Sequence, residues 1–206
     1  SIVLPKSLAM GSYKLFELSS GEFSSDVLAK CSIEGIAIPY ELKIEGNLIK
    51  ILIDKNYLLF KNMNKTSQEI TGEVSFYGEG ALDAETLTFT EKAKLILDPI
   101  KTPVNIWGTE DGKGLIFADG AKIALSPDYA DMSCGRITLM TFKSEYAKNL
   151  PQNLNEVFDP SSIATGAEWS ITLEDVPDTS VYRQNLVLTV GDYENAPEIK
   201  ILPIGD

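Results

Sequence analysis

Short segments in which apolar and polar residues alternate follow one another along most of the chain. Residues 40–45 alternate cleanly, with Leu42 and Ile44 on one face and Glu41, Lys43 and Glu45 on the other. Gly46 and Asn47 come next, and the apolar-rich segment 48–53 follows them directly. Alternation on both sides of a two-residue turn of this kind is typical of a β-hairpin. The pattern therefore predicts that 40–45 and 48–53 pair as antiparallel strands.

Similar strand signals are spread over the rest of the chain. The segments concerned are 13–18, 74–77, 86–90, 93–97, 136–142, 169–173, 185–190 and 198–202. Turn residues recur about every 8 to 15 positions, which is the spacing of a sandwich or a barrel. The region without strand character predicts one short helical segment near 144–155. We therefore expect an all-β fold, an antiparallel sandwich or barrel with hairpin and meander connections.

Residues 107–125 read WGTEDGKGLIFADGAKIAL and raise the question of a phosphate or calcium loop. A P-loop is excluded, because Gly114 stands where the Ser or Thr hydroxyl belongs. An EF-hand is excluded too, because Ala118 takes the place of the bidentate carboxylate. The Asp-Gly pairs at 111–112 and 119–120 are instead signals of hairpin turns. We therefore expect a three-strand meander over this segment.

The length of 206 residues suits a single all-β domain covering 1–206. Asp98, Pro99 and Pro103 interrupt the strand pattern, so a split into two domains near 98–104 is the alternative. No apolar run in the sequence approaches the roughly 18 residues of a membrane span. No transmembrane segment is therefore expected.

Charge and composition narrow the classes of function. The net charge of −12 argues against nucleic acid as a partner, because its phosphates require a basic face. The chain contains no histidine, which excludes Ser-His-Asp and Cys-His catalysis as well as histidine-ligated metals. Cys31 and Cys134 are too few for a zinc or iron–sulfur site. They either form a disulfide or remain free thiols.

Aromatic residues near strand ends or in loops would offer stacking surfaces for a carbohydrate or another small ligand. Trp107, Tyr182 and Tyr193 lie in such positions and are the predicted ligand-binding residues. Asp128 and Asp131 form a short acidic cluster, and carboxylate oxygens are the ligands that calcium prefers. They are the predicted metal ligands if the protein binds calcium. No other cofactor and no catalytic residue is predicted.

Two stretches resemble a known group of proteins. Gly11-Ser-Tyr13 opens a strand, and residues 71–90 read TGEVSFYGEGALDAETLTFT. Both resemble the small secreted or lipid-anchored all-β domains of gut-bacterial cell envelopes, whose folds are lipocalin-like or immunoglobulin-like. The resemblance implies an exported surface protein and assigns no catalytic residue.

Together these observations favour a non-catalytic protein of the cell surface or envelope. We expect an extracellular or envelope location and recognition of a glycan or a protein partner through loops. One alternative is a lipocalin-like carrier of a small apolar ligand. The other is a glycan hydrolase, because a pair of carboxylates can act without histidine. Glu73 and Glu168, each close to an aromatic residue, are the candidates for such a pair.

Overall fold

The computed structural model describes residues 2–5, 8–60, 63–78, 80–108, 113–143, 150–176 and 184–192, and about half of them lie in strands. The strands are β1 (Ile2–Val3), β2 (Gly11–Glu17), β3 (Ile33–Glu34), β4 (Glu41–Glu45), β5 (Leu48–Ile53), β6 (Tyr57–Phe60), β7 (Met63–Ile70), β8 (Glu73–Gly78), β9 (Leu82–Phe89), β10 (Lys94–Leu97), β11 (Val104–Ile106), β12 (Gly114–Phe117), β13 (Lys122–Leu125), β14 (Gly135–Phe142), β15 (Trp169–Asp175) and β16 (Gln184–Val190). The 3-10 helices are Ser25–Lys30, Pro127–Tyr129, Leu154–Val157 and Pro160–Ser162.

A small antiparallel sheet near the start of the chain has the strand order β2-β5-β4. β4 and β5 pair in antiparallel register, with Glu45 beside Leu48, so the predicted hairpin is confirmed. Gly46 in its turn has a φ of +60°, a conformation that side chains disfavour. The inner face of the sheet packs around the buried Ile51 and Ile53 in a small hydrophobic cluster.

From β6 onwards the chain winds as a coil through two sheets. Sheet I has the order β13-β10-β8-β6, and sheet II has the order β12-β9-β11-β14-β16-β15, with β7 also paired to β9. From β6 to β11 the chain enters the two sheets alternately; β12 then stays in sheet II, and β13 and β14 resume the alternation. Each of these strands pairs in parallel with a strand one turn of the coil away. In sheet I, Tyr57 lies beside Ser75, and Lys94 lies beside both Glu73 and Lys122. The chain interval between partners thus lengthens from turn to turn.

The inner faces of the two sheets share one hydrophobic core. Leu95 and Leu97 of sheet I and Leu87 and Phe89 of sheet II are fully buried there. Successive side chains of a strand point to opposite faces, so each turn of the coil contributes apolar side chains from both sheets to this core. Each large apolar side chain buried in this way contributes about 1.5–3 kcal/mol. Burial of this face holds the coil together and leaves the outer faces of the sheets for other roles.

Sheet II ends in antiparallel strands, with β16 between β14 and β15. On the outer edge of β15, the backbone N–H of Ile171 donates a hydrogen bond to the Asn155 side chain at 2.8 Å. At the edge of sheet I, Phe158 forms an isolated bridge to Ile123. The segment around the 3-10 helix Leu154–Val157 therefore occupies part of both edges, which would otherwise be free to pair with another chain.

The expected antiparallel sandwich or barrel is wrong. Sheet I is parallel throughout, sheet II is mixed, and the described strands do not close into a barrel. Gly- and Asp-bearing turns connect strands in both architectures. Here most of them carry the chain from one sheet to the other instead of folding it back onto the preceding strand. The local chemistry of the turns was therefore interpreted correctly, but the pairing partners were not.

The meander predicted for 107–125 fails for the same reason. β12 belongs to sheet II and β13 to sheet I, so the two strands do not pair. A tight turn does occur between them, where Gly120 has a φ of +68° and Ala121 donates its N–H to the carbonyl of Ala118. That turn carries the chain from sheet II to sheet I. The other pair, 111–112, lies outside the described residues.

The predicted helical segment near 144–155 is described only in part. Residues 144–149 lie outside the described residues, and the 3-10 helix Leu154–Val157 overlaps the end of the segment. No helix in the part of the chain that the structure describes is long and apolar enough to cross a membrane.

The domain boundary considered near 98–104 falls on the turn between β10 and β11. Leu97 before this turn and Val104 after it belong to the same hydrophobic core. The cluster around Ile51 and Ile53 is distinct from that core. The organisation of 1–206 as one domain stays a prediction.

Candidate functional site

The outer face of sheet I forms the floor of a cleft of about 610 Å³, which we call the main cleft. Four residues lie side by side on this face, one from each strand: Tyr57, Ser75, Ile96 and Ala124. The last three are almost fully buried, although they point away from the hydrophobic core. The volume is within the range of about 300–1,000 Å³ of pockets that bind small ligands.

A second row of cleft residues lies two positions further along the same strands. It consists of Tyr77, Asp98 and Ser126, which line the main cleft. The backbone N–H of Ser126 donates to the carbonyl of Leu97 at 2.9 Å, so the pairing of sheet I continues just beyond its strands. Parallel pairing therefore brings three residues that are distant in sequence onto one face.

The aromatic part of the main cleft is a pair of tyrosines. The rings of Tyr57 and Tyr77 meet edge to face, with centroids 5.7 Å apart and an interplanar angle of 72°. The Tyr57 hydroxyl donates to Asp54 Oδ1 at 3.2 Å. Burial, followed by the charge and the hydrogen bond of Asp54, raises the pKa of Tyr57 to about 12. The Tyr57 ring is thus held in place and its hydroxyl stays protonated at neutral pH. Tyr77, in contrast, is 40% exposed.

Asp98 organises the polar end of the main cleft. Its Oδ1 accepts hydrogen bonds from the backbone N–H groups of Ile100 and Lys101 at 3.1 and 3.2 Å and from the Tyr129 hydroxyl at 2.9 Å. Burial alone would raise the pKa of the Asp98 carboxyl. The hydrogen bonds from Lys101, Tyr129 and Ile100 outweigh burial and hold the pKa below its ordinary value of 3.8. Since the protein itself occupies the Asp98 oxygens, this residue positions its neighbours.

Lys101 and Asp128 are the exposed part of the polar end. Lys101 Nζ lies 3.1 Å from Asp98 Oδ2 and 3.1 Å from Asp128 Oδ2. The hydrogen bonds to Asp128 and then to Asp98 raise the pKa of the Lys101 amine. The side chains of Lys101 and Asp128 are 59% and 68% exposed. A ligand in the main cleft therefore meets a cationic donor and an anionic acceptor side by side.

The Ser126 hydroxyl has an unused capacity for hydrogen bonding. Its Oγ is buried and has no hydrogen-bond partner among the described residues. Most buried polar atoms are hydrogen-bonded, and leaving one unpaired costs about 1–3 kcal/mol. Ser126 lines the main cleft, so a turn of its side chain toward the cleft would let a polar group of a bound ligand provide the missing bond.

A smaller cleft of about 190 Å³, the side cleft, adjoins the main cleft. Pro39 and Tyr57 line both clefts. Tyr40 and Asp54 line only the side cleft, and Tyr40 is 41% exposed. Tyr57 is therefore the shared wall between two aromatic-lined depressions.

The ligand-binding residues predicted from the sequence are not part of these clefts as described. Trp107 is half-buried at the end of β11 in sheet II, where its backbone N–H donates to the carbonyl of Ala84 at 2.9 Å. Tyr182 and Tyr193 lie outside the described residues. A binding role for these three residues stays a prediction.

Of the two predicted metal ligands, Asp128 lines the main cleft and Asp131 does not. Asp128 pairs with Lys101, whereas Asp131 is exposed beyond the 3-10 helix Pro127–Tyr129. Within the described ranges, no group of three or more Cys, His, Asp or Glu residues could hold a metal ion. Calcium binding at these two residues stays a prediction. Cys31 and Cys134 are both free.

Nothing in the sequence indicated that Tyr57, Tyr77 and Ser126 would line one cleft. The outward direction of Tyr77 follows from its position next to Phe76, which faces the core. The other two reach Tyr77 only through parallel pairing between turns of the coil, and that pairing was not predicted.

Comparison with known proteins finds no family model that matches this chain, and neither a curated protein nor a solved structure that does. The function therefore has to be argued from the chemistry of the site.

Proposed function

We propose that this chain is a non-catalytic recognition protein of the cell surface or envelope and that it binds a carbohydrate in the main cleft. The observation that carries the proposal is the unpartnered Ser126 hydroxyl in a cleft that also presents Tyr77 and the Lys101–Asp128 pair. The loops and sheet that hold these groups are fixed by hydrogen bonds, so little order has to be gained on binding.

A sugar ring matches both parts of this cleft. Its C–H faces suit the exposed ring of Tyr77, and tyrosine offers contact area at a low cost in conformational entropy. Its hydroxyl groups need donors and acceptors in close succession. Lys101, Asp128 and Ser126 provide them, and hydrogen bonds to the two charged groups are stronger than neutral ones.

The main cleft is less suited to the alternatives. A general acid of a glycan hydrolase needs a raised pKa, whereas the pKa of Asp98 is lowered. Glu73 and Glu168, the carboxylates considered for that role, do not line the main cleft. An apolar carrier encloses its ligand, but Tyr77, Lys101 and Asp128 leave this cleft open to solvent.

The cellular location in this proposal rests on the resemblance of residues 11–13 and 71–90 to envelope domains of gut bacteria and on the acidic net charge. A strongly negative protein is soluble and is not attracted to anionic surfaces. An extracellular or envelope position is where a protein of this kind would meet glycans.

The test is an array of immobilised glycans probed with the wild-type protein and with Tyr77→Ala and Phe16→Ala. Phe16 is the matched control, because it is a strand aromatic that is 45% exposed and lies outside both clefts. We expect Tyr77→Ala to weaken binding about fivefold, since an aromatic contact of this kind is worth roughly 1 kcal/mol. Phe16→Ala should bind like the wild type.

Two results would contradict the proposal. One is the absence of binding to any glycan by a wild-type protein that unfolds cooperatively. The other is an equal loss for both variants, which would show that binding does not use the main cleft. Capture of proline-rich or basic peptides on a parallel peptide array would point to a protein partner instead.

A further inference from the structure

The two clefts form one line across the strands of sheet I. The strand order β13-β10-β8-β6 runs from Ser126, which follows β13, through Asp98 and Tyr77 to Tyr57. Beyond Tyr57 the line continues into the side cleft, where Tyr40 is exposed. Neighbouring strands lie about 4.8 Å apart, so the four strands alone span about 14 Å. This is longer than one sugar ring.

We propose that the ligand is a linear oligosaccharide that lies across the strands and occupies both clefts. One end meets Ser126, Lys101 and Asp128, the middle contacts Tyr77 and Tyr57, and the other end packs on Tyr40. This inference rests on the proposed carbohydrate binding. It adds that binding strength depends on the length of the oligosaccharide and that Tyr40 belongs to the site.

Tyr57 suits the role of a fixed ridge between two binding positions. Its ring is held from one side by Tyr77 and its hydroxyl by Asp54. Both contacts would have to break before the ring could move and enlarge either cleft. Ligand units therefore have to settle on both sides of it, as successive units of a chain do.

The two ends of the line differ in chemistry. Lys101 and Asp128 offer charged hydrogen-bonding groups, whereas Tyr40 and Pro39 offer mainly apolar contact. A short ligand gains most at the polar end and at Tyr77. Additional units gain contact at Tyr40, so the effect of removing Tyr40 must grow with ligand length.

The experiment uses defined ladders of gluco-, xylo-, manno- and galacto-oligosaccharides, from one to six units, with affinities measured by calorimetry. The proteins are the wild type, Tyr40→Ala, Tyr77→Ala and Phe16→Ala. For a ladder that binds, we expect the wild-type affinity to rise at least tenfold between one and four units. Tyr77→Ala should weaken every length, Tyr40→Ala only the longer ones, and Phe16→Ala none.

The outcomes separate the two proposals. If one ladder binds and its monosaccharide is bound as tightly as the hexasaccharide, carbohydrate binding stands and the two-cleft site is wrong. The same follows if Tyr40→Ala leaves the affinity for long oligomers unchanged while Tyr77→Ala reduces it. If no ladder binds any of the folded proteins, both proposals fail together. Thermal unfolding of each variant establishes that the substitutions leave the fold intact.

Discussion

At the scale of single residues, the main cleft contains two kinds of groups. Some hold the site in shape, and others face a ligand. Asp98 accepts three hydrogen bonds at Oδ1 and pairs with Lys101 through Oδ2. The backbone carbonyl of Asp98 also accepts from the Thr102 hydroxyl at 2.8 Å. The Asp98 side chain therefore holds the turn after β10 and orients the Lys101 side chain.

The charge on Asp98 gives stability a defined dependence on pH. Because its pKa is lowered in the folded protein, its contribution is present above the unfolded pKa and is lost as the pH falls through the folded pKa. We expect Asp98→Asn to be less stable than the wild type by about 1–2 kcal/mol at pH 7. Below about pH 4 this gap should narrow.

Urea unfolding between neutral and acidic pH measures this difference. Asp131→Asn is the matched control, because Asp131 is an exposed aspartate close to the same cleft that makes none of the hydrogen bonds of Asp98. An Asp98→Asn gap that stays constant over the whole pH range would show that the charge is unimportant.

Gly108 is required for space. A Cβ at this position would lie 2.1 Å from the carbonyl oxygen of Glu85 and 2.8 Å from the backbone nitrogen of Gly114. We expect Gly108→Ala to lower the free energy of unfolding by about 2–3 kcal/mol, because backbone atoms would have to move. Gly46→Ala, where nothing lies within 4 Å, should lose only about 1 kcal/mol from its positive φ. Equal losses in urea unfolding would refute the argument.

At the scale of elements, the existence of strands was predictable and their pairing was not. Alternation located β4, β5, β14, β15 and β16, and the β4–β5 hairpin was predicted. The antiparallel pairing of β16 with β14 and β15 was not specified. Gly120 shows where the prediction failed. Its turn has hairpin chemistry, but it joins two layers, because the strand beside β13 is β10 and lies a full turn back along the chain.

Parallel pairing of this kind leaves little trace in the sequence. The partners Tyr57 and Ser75 are closer along the chain than Lys94 and Lys122, so the coil has no fixed period to detect. The candidate site depends on those pairings. Tyr77 could be placed on an outer face from its own strand, but its position beside Tyr57 could not.

The hydrogen bond at the outer edge of β15 can be tested by substitution. The Asn155 side chain accepts the N–H of Ile171. We expect Asn155→Ala to lower the free energy of unfolding by about 1 kcal/mol, whereas Asn155→Asp keeps an acceptor and should lose less. Hydrogen exchange at the Ile171 amide is the direct measurement. Exchange at the wild-type rate in Asn155→Ala would show that this bond does not protect the edge.

At the scale of the whole molecule, Tyr57 ties the two hydrophobic clusters together. It packs against the cluster of Ile51 and Ile53, and its strand pairs with β8 in the coil. We expect Leu87→Ala, in the core of the coil, to lower global stability by about 2–5 kcal/mol. If 1–206 is a single domain, as predicted, the loss should be seen equally at the Ile51 amide.

Two probes follow this unfolding. Trp107 and Trp169 report on the coil by fluorescence, and hydrogen exchange at Ile51 reports on the first sheet. Coincident changes support a single cooperative unit covering 1–206. If Leu87→Ala shifts the fluorescence transition and leaves the protection of Ile51 unchanged, the first sheet is an independent domain.

The break between β11 and β12 has a consequence for redesign. Both strands pair with β9, and the chain leaves the sheet after Ile106 and returns at Gly114 in register with the same partner. The register of β11 and β12 in sheet II is thus set by their shared partner β9. We expect foreign peptides grafted after Gly108 and before Lys113 to leave the pairing of β11 and β12 with β9 in place.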